Sequence, residues 1–171
     1  MKVGVLSDTH LQAGQFLPQI VWDSLAGVDL ILHAGDSVVP EVLADLNCLA
    51  PVIAVKGNCD AWELQHLPER ETVDCAGVRL GLTHGYRGRG RSIQERVYQT
   101  FARDRVQAIV FGHSHSPCLE WENGVLLFNP GSPTQKRREP YYSLGVIEVN
   151  QSEIRARHVF FGEDGQAVVG G

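Results

Sequence analysis

Seven side chains in this sequence, Asp8, His10, Asp36, Asn58, His84, His113 and His115, are of types that bind divalent cations, and each stands just after a short apolar run. Each has an ordinary reading when taken singly. Asp8 and Asp36 could cap the helices that follow, Gly57-Asn58 could be a tight turn, and Gly112-His113-Ser114-His115 could be a polar turn on a surface loop. Chance placement accounts poorly for such residues at five successive strand ends. In open α/β sheets the ligand site lies beyond the carboxyl ends of the strands, so the fold itself would gather these residues at one edge. Carboxylate, imidazole and amide oxygen, with no thiolate in the set, suit Mn²⁺, Fe²⁺, Zn²⁺ or Mg²⁺, and seven donors exceed what one tetrahedral ion needs. Two metals are the economical reading. Two ions roughly 3.5 to 4 Å apart can share a bridging carboxylate and a bridging hydroxide, and so clamp both oxygens of an in-line displacement at phosphorus. Two carboxylates undercompensate two divalent cations, which leaves a cationic pocket suited to an anionic phosphoester.

The elements that must position these residues follow from the periodicity. Apolar runs at Val3 to Ser7, Asp29 to His33 and Pro51 to Val55 read as strands. Between them, Leu17 to Ala26 and a segment opened by Pro40 carry apolar residues at helical spacing. Trp62 to Leu67 reads as a short helix or an ordered loop. Glu71 to Cys75 and Val78 to Thr83 form a hairpin around Ala76-Gly77. Arg87, Arg89 and Arg91 alternate with glycines in a mobile loop ahead of a helix from about Ser92 to Arg103. Ala108 to Phe111 and Val125 to Phe128 are further strands, and Ser143 to Val149 with Glu153 to Val159 is a closing hairpin. Strand-helix alternation implies parallel pairing early, and the hairpins add antiparallel strands. The expected fold is a layered α/β domain over residues 1–171, with two stacked sheets and helices outside.

At 171 residues, 43% hydrophobic and 20% charged, the chain can bury an ordinary core without disulfides. A formal charge of −5 argues against a nucleic-acid coat protein or an electrostatic membrane binder, although a local basic patch is compatible with it. Cys48, Cys59, Cys75 and Cys118 form no CxxC pair, and the chain opens directly into a strand with no secretory or membrane segment. The expectation is a cytoplasmic protein with reduced thiols.

Asp8-Thr9-His10, Gly35-Asp36, Gly57-Asn58-Cys59-Asp60, His84-Gly85 and Gly112-His113-Ser114-His115 resemble, in order, the motifs of the calcineurin-like metallophosphoesterases. The small size, Cys59 in the third motif and Asn129-Pro130-Gly131-Ser132 after the last resemble the compact YfcE/Vps29-type branch. The resemblance implies a four-layer α/β/β/α sandwich with flanking helices. It also implies a dinuclear centre in which Asp8, His10 and His115 hold one metal, Asn58, His84 and His113 hold the other, and Asp36 bridges. Manganese is the first expectation, with nickel, iron, zinc or magnesium as alternatives. The implied activity is a metal-dependent phosphodiesterase acting on a small phosphoester. The alternatives are a phosphomonoesterase, or a protein-interaction scaffold on the same fold with a vestigial metal site. A homo-oligomer is compatible with the sequence; a membrane or a stable nucleic-acid partner is not expected.

Several residues keep two readings. Relatives commonly carry a histidine where this chain has Cys59, which is either a catalytic group or motif filler. An uncharged thiol is a poorer phosphate partner than an imidazolium. Asn58 and Arg87, with Arg89 and Arg91 behind it, could bind the substrate phosphate, or the arginines could form a solvated loop. His33 is expected on the face of its strand opposite the site's approach, as a core or supporting histidine. Lys136-Arg137-Arg138 reads as a solvated turn.

Overall fold

The computed structural model describes residues 1–151 and 153–168. Two five-stranded mixed sheets lie face to face. The first contains β1 (Lys2–Leu6), β2 (Leu30–His33), β3 (Val52–Ala54), β9 (Tyr142–Asn150) and β10 (Glu153–Phe161) in the order β10-β9-β1-β2-β3. The second contains β4 (Arg70–Cys75), β5 (Val78–Thr83), β6 (Ala108–Val110), β7 (Cys118–Glu122) and β8 (Val125–Asn129) in the order β4-β5-β6-β8-β7. β1, β2 and β3 pair in parallel, as do β5, β6 and β8, while β9, β10, β4 and β7 pair antiparallel. The expected parallel core with late antiparallel additions is therefore present.

The layering follows from alternation along the strands. Val3, Val5, Leu30 and Leu32 point inward and meet Leu80, Leu82, Val110 and Phe128 from the opposite sheet. Leu6 and Ile31, on the other face, pack against Val21 and Leu25 of α1 (Gln19–Leu25) and Val42 and Leu46 of α2 (Pro40–Asn47). Ile109, Phe111 and Leu127 face Val97 and Phe101, the first of which lies on α3 (Ile93–Thr100). The result is the expected α/β/β/α sandwich.

Three local differences have physical causes. α1 starts at Gln19 rather than Leu17 because Pro18 is extended, with ψ 146°, and ends the preceding loop. β7 has no counterpart in the expected elements: Cys-Leu-Glu-Trp-Glu lies at a sheet edge with both faces largely wet, so it carries no apolar alternation to read. The arginine loop is tied down rather than loose. Ser92 Oγ accepts from Glu95 N at 3.1 Å, Glu95 Oε2 accepts from Arg91 N at 2.7 Å, and Gly90 adopts φ 150° against the start of α3.

Candidate metal centre

The carboxyl ends of β1, β2, β3, β5, β6 and β8 share one edge, and the loops leaving them bring the seven candidate donors together. Five of the seven, Asp8, His10, Asp36, His113 and His115, have left-handed backbones with φ between 44° and 70°. Each costs on the order of 1 kcal/mol or more for a residue with a Cβ, and such conformations concentrate where a side chain must be aimed. Hydrogen bonds across the loops offset the cost. Asp8 N donates to Gly35 O at 3.0 Å, His10 N to Asp36 O at 3.1 Å and His113 N to Asp8 Oδ2 at 2.9 Å. Two glycines make the approach possible: a Cβ on Gly57 would overlap Asp36 Oδ1, and one on Gly112 would overlap Ser7 Oγ.

The donors form two adjoining groups. Asp8 Oδ1 lies 3.3 Å from His115 Nε2 and 3.8 Å from His10 Nε2, and the two imidazole nitrogens are 3.2 Å apart. Beside them, His84 Nε2 lies 3.2 Å from Asp36 Oδ2 and 3.2 Å from Asn58 Oδ1. Asp36 Oδ2 is also 3.5 Å from His10 Nε2, so this carboxylate faces both groups. His113 stands at the margin of the second group, its ring edge-on to His84 with centroids 5.1 Å apart.

Tautomers decide what such a cluster can hold. His84 Nδ1 meets Ala34 O at 2.8 Å and His115 Nδ1 meets Gln135 O at 2.5 Å; a carbonyl only accepts, so each Nδ1 carries the proton. In the neutral rings both Nε2 atoms then present lone pairs, and they face carboxylate and amide oxygens that present lone pairs too. Asp8 Oδ1 is buried with no hydrogen-bond partner among the described residues. With His84 and His115 neutral, their lone pairs converge with the carboxylate and amide oxygens, an arrangement that suits a cation, and the residues present fit a divalent metal.

The carboxylates and imidazoles of the cluster shift one another's titration. Burial alone would raise Asp8 and Asp36, but His10, His84 and His115 around Asp8, and His84, the Cys59 N–H and His10 around Asp36, hold both carboxyls below their usual range. Burial lowers His113 and His115. Burial acts against His84 as well, but Asp36 and Asp8 outweigh it and hold that imidazole above its ordinary value.

This geometry has counterparts. The family model for the calcineurin-like phosphoesterase superfamily domain matches residues 1–152. The chain belongs to that superfamily. A probable metallophosphoesterase of Methanocaldococcus jannaschii is 38% identical over 138 residues, covering 80% of this chain and 70% of the relative. Phosphodiesterase YfcE of Escherichia coli is 32% identical over 133 residues, covering 70% of this chain and 68% of the relative. Among solved structures, a Vps29 single mutant from Entamoeba histolytica superposes with a TM-score of 0.76 at 25% identity, covering 95% of this chain and all of that one. The compact YfcE/Vps29-type resemblance therefore holds in both sequence and fold.

Residues that support the cluster include ones whose importance is invisible in a strand-end reading. Asp60 is buried, and its carboxylate accepts from Gly57 N at 2.6 Å, Val38 N at 2.8 Å and Asp36 N at 3.3 Å, which ties the loop after β2 to the loop after β3. Ser132 Oγ donates to Asp8 O at 2.7 Å, Thr134 Oγ1 donates to Thr9 O, and Asn129 Nδ2 donates to Gly112 O at 2.9 Å. Asp60 and Ser132 sit inside motifs readable in the sequence, but their partners are up to 124 positions away. Arg137, expected in a solvated turn, is exposed with φ 52° and lies close enough to depress both His113 and His115.

Cys59 is exposed at the edge of the cluster; what burial it has, with the carboxylates of Asp36 and Asp60, pushes its thiol up to about 11. Arg87 is exposed, pairs with Glu69 at 2.5 Å and lies over the Tyr86 ring at 5.1 Å. His33 shares the helix-side face of β2 with Ile31, is fully buried, and contacts Thr9 Oγ1 through Nε2 at 3.2 Å. Burial lowers its pKa from 6.5 to about 4. The folded chain thus binds fewer protons than the unfolded one in that window, so His33 contributes stability above about pH 6.5 that is lost as pH falls toward 4. In urea titrations of metal-free protein, wild type is expected to lose on the order of 3 kcal/mol more across this window than His33→Gln. Parallel curves would remove His33 as the cause.

Proposed function

We propose that this chain is a metal-dependent phosphodiesterase forming one metallophosphoesterase domain. In this reading Asp8, His10 and His115 hold one divalent ion, Asn58, His84 and His113 hold a second, and Asp36 spans both. The convergence of ligand-type side chains at the strand ends carries the reading: buried Asp8 Oδ1 and, in the neutral rings, the Nε2 lone pairs of His84 and His115 suit cations. The phosphodiesterase name of the YfcE relative supports a diester substrate. Oxygen and nitrogen donors support manganese as the working ion, with nickel, iron, zinc and magnesium to be compared. Bound there, two divalent ions supply Lewis-acid stabilisation of the phosphoryl charge and activation of water as the nucleophile.

The chain's own residues prepare the site. Ala34 O and Gln135 O hold two imidazoles in the ligating tautomer, and the Gly57 and Gly112 backbones let Asp36 and Asp8 close in. Asn58 and Arg87 are the candidate substrate contacts in this reading, Asn58 beside His84 and Arg87 over the Tyr86 ring. Cys59 stays a neutral thiol at working pH, so it can donate a weak hydrogen bond to a phosphoryl oxygen but is a poor acid for the leaving group. Rates across a series of aryl diesters are therefore expected to fall steeply with leaving-group pKa, and Cys59→His should flatten that slope; equal slopes would leave Cys59 without a catalytic role. Free thiols at all four cysteines, two of them exposed, support a reducing, cytoplasmic setting.

The deciding experiment loads the purified protein with Mn²⁺, Ni²⁺, Fe²⁺, Zn²⁺ or Mg²⁺ and assays bis(p-nitrophenyl) phosphate beside p-nitrophenyl phosphate. Metal-stimulated hydrolysis favouring the diester is expected. No activity with any of the five ions ends the proposal, and faster monoester hydrolysis converts it to a phosphomonoesterase. Metal counting adds a residue-level result: His115→Ala and His113→Ala should each lose about one equivalent, from different sites, so that the double variant loses about two.

A further inference from the structure

The chain's charge is unevenly distributed. Eight of its 15 basic residues but only four of its 20 acidic ones fall between residues 70 and 105, and all eight are arginines. A chain with a formal charge of −5 therefore contains a stretch with a surplus of positive charge.

The fold lays part of this surplus in a lane of two concavities that Tyr86 links to the candidate metal cluster. The Tyr86 ring touches the cluster from outside, 5.7 Å from the His84 ring and 6.3 Å from that of His113. Behind it opens a cavity of about 220 Å³ that reaches Tyr86, Arg87, Gly88, Arg70 and Thr100. A second, of about 630 Å³, shares Arg70, Gly88 and Thr100 with the first and adds Arg89 and Arg103. The two concavities are thus neighbours across these shared residues. Their acidic members are Glu69, paired with Arg87 and 3.9 Å from Lys56, and Asp104, paired with Arg70 at 2.8 Å. Arg89 and Arg103 are exposed and form no ion pair among the described residues. Gly88 and Gly90, at φ 118° and 150°, hold the loop in a path open mainly to glycine, so the placement of Arg89 between them is built into the backbone.

We propose that this arginine lane is the subsite for a second phosphate carried on one arm of the scissile diester. The substrate class is then a diester bearing at least one further phosphate, as in an oligonucleotide or a small phosphorylated dinucleotide. Planar guanidinium groups suit phosphate oxygens, and a cationic groove beside an aromatic ring suits a nucleotide unit between two phosphates. The proposal rests on the phosphodiesterase reading above and specifies what that site prefers.

The test compares kcat/KM of the metal-loaded full chain for the thymidine dinucleotide TpT, its 5′- and 3′-phosphorylated forms pTpT and TpTp, and a thymidine ten-mer. One phosphorylated dinucleotide should exceed TpT by on the order of tenfold, the other by little, because the lane lies to one side. The preference ratio should fall toward one in the Arg89→Gln/Arg103→Gln double variant, whose fold is checked by its thermal melt, and should be kept in Arg155→Gln. A gain already complete in the dinucleotide identifies a small ligand; a further gain in the ten-mer identifies a chain. Equal values for all four substrates, or an undiminished ratio in the double variant, overturns the proposal. Equilibrium binding of a fluorescein-labelled ten-mer separates the two readings. If the loaded protein hydrolyses no diester yet binds the ten-mer with an affinity that weakens with salt and drops in the double variant, the phosphodiesterase reading fails while the lane stands as an anion site. Binding that is absent or indifferent to both changes removes the lane.

Discussion

Asp36→Ala protein should hydrolyse bis(p-nitrophenyl) phosphate at least about a thousandfold more slowly than wild type and should retain less metal at both sites. The reason is geometric. Asp36 Oδ2 is the oxygen that faces both donor groups, 3.5 Å from His10 Nε2 and 3.2 Å from His84 Nε2, while Oδ1 accepts from Cys59 N at 2.7 Å. Alanine removes the shared oxygen and leaves the Cys59 N–H without its acceptor. Asp36→Asn separates the two losses: its amide oxygen can still accept from Cys59, but the negative charge is gone. Both variants should be nearly inactive, with Asn keeping more of the wild-type stability. Metal counts by mass spectrometry and steady-state rates check this together. Wild-type turnover in Asp36→Ala would refute the shared-carboxylate assignment.

The second large effect concerns a residue that touches no candidate substrate. Asp60→Ala should destabilise the metal-free protein by about 3 to 5 kcal/mol in urea unfolding, because three backbone N–H groups, of Asp36, Val38 and Gly57, lose their acceptor at once. The consequence reaches the site directly. Asp36 at φ 57° and Val38 at φ 74° are held in left-handed conformations by those bonds, and without them the loop after β2 is expected to relax toward ordinary backbone angles and carry Asp36 off target. Asp60→Asn, which keeps one acceptor oxygen, should lose less stability than Ala. An unchanged unfolding midpoint in Asp60→Ala would show that the clamp is energetically idle.

Much of this site was legible because the fold type translates sequence position into spatial position. Once Val3, Ile31, Ile53, Leu80 and Ile109 are read as lying on parallel or near-parallel strands, Asp8, Asp36, Asn58, His84 and His113 must emerge at one edge, whatever the exact pairing. Residues whose contribution depends on a particular partner were harder to read. β7 leaves no periodic mark in the sequence because an edge strand with both faces wet has no alternation, and the role of Asp60 leaves none because its carboxylate serves two loops distant along the chain. Arg137 is exposed, as a solvated turn implies, but the packing of residues 132–135 against Asp8, Thr9 and His115 brings its charge near enough to act on His113 and His115.

The sequence by itself determined the layered α/β class, the strand ends from which the seven candidate donors emerge and their shared ligand-type character, because apolar alternation and residue type are local properties. Only the tertiary structure decided which nitrogen of each histidine is free and that Asp36 faces both groups. It also decided that Arg87 and Arg89 line concavities rather than a loose loop. Each of these is fixed by a contact between distant positions: Ala34 with His84, Gln135 with His115, Asp8 with His113 across 105 residues, and Arg70 with Asp104. A side chain's protonation and aim depend on the group it meets, and that group is chosen by packing.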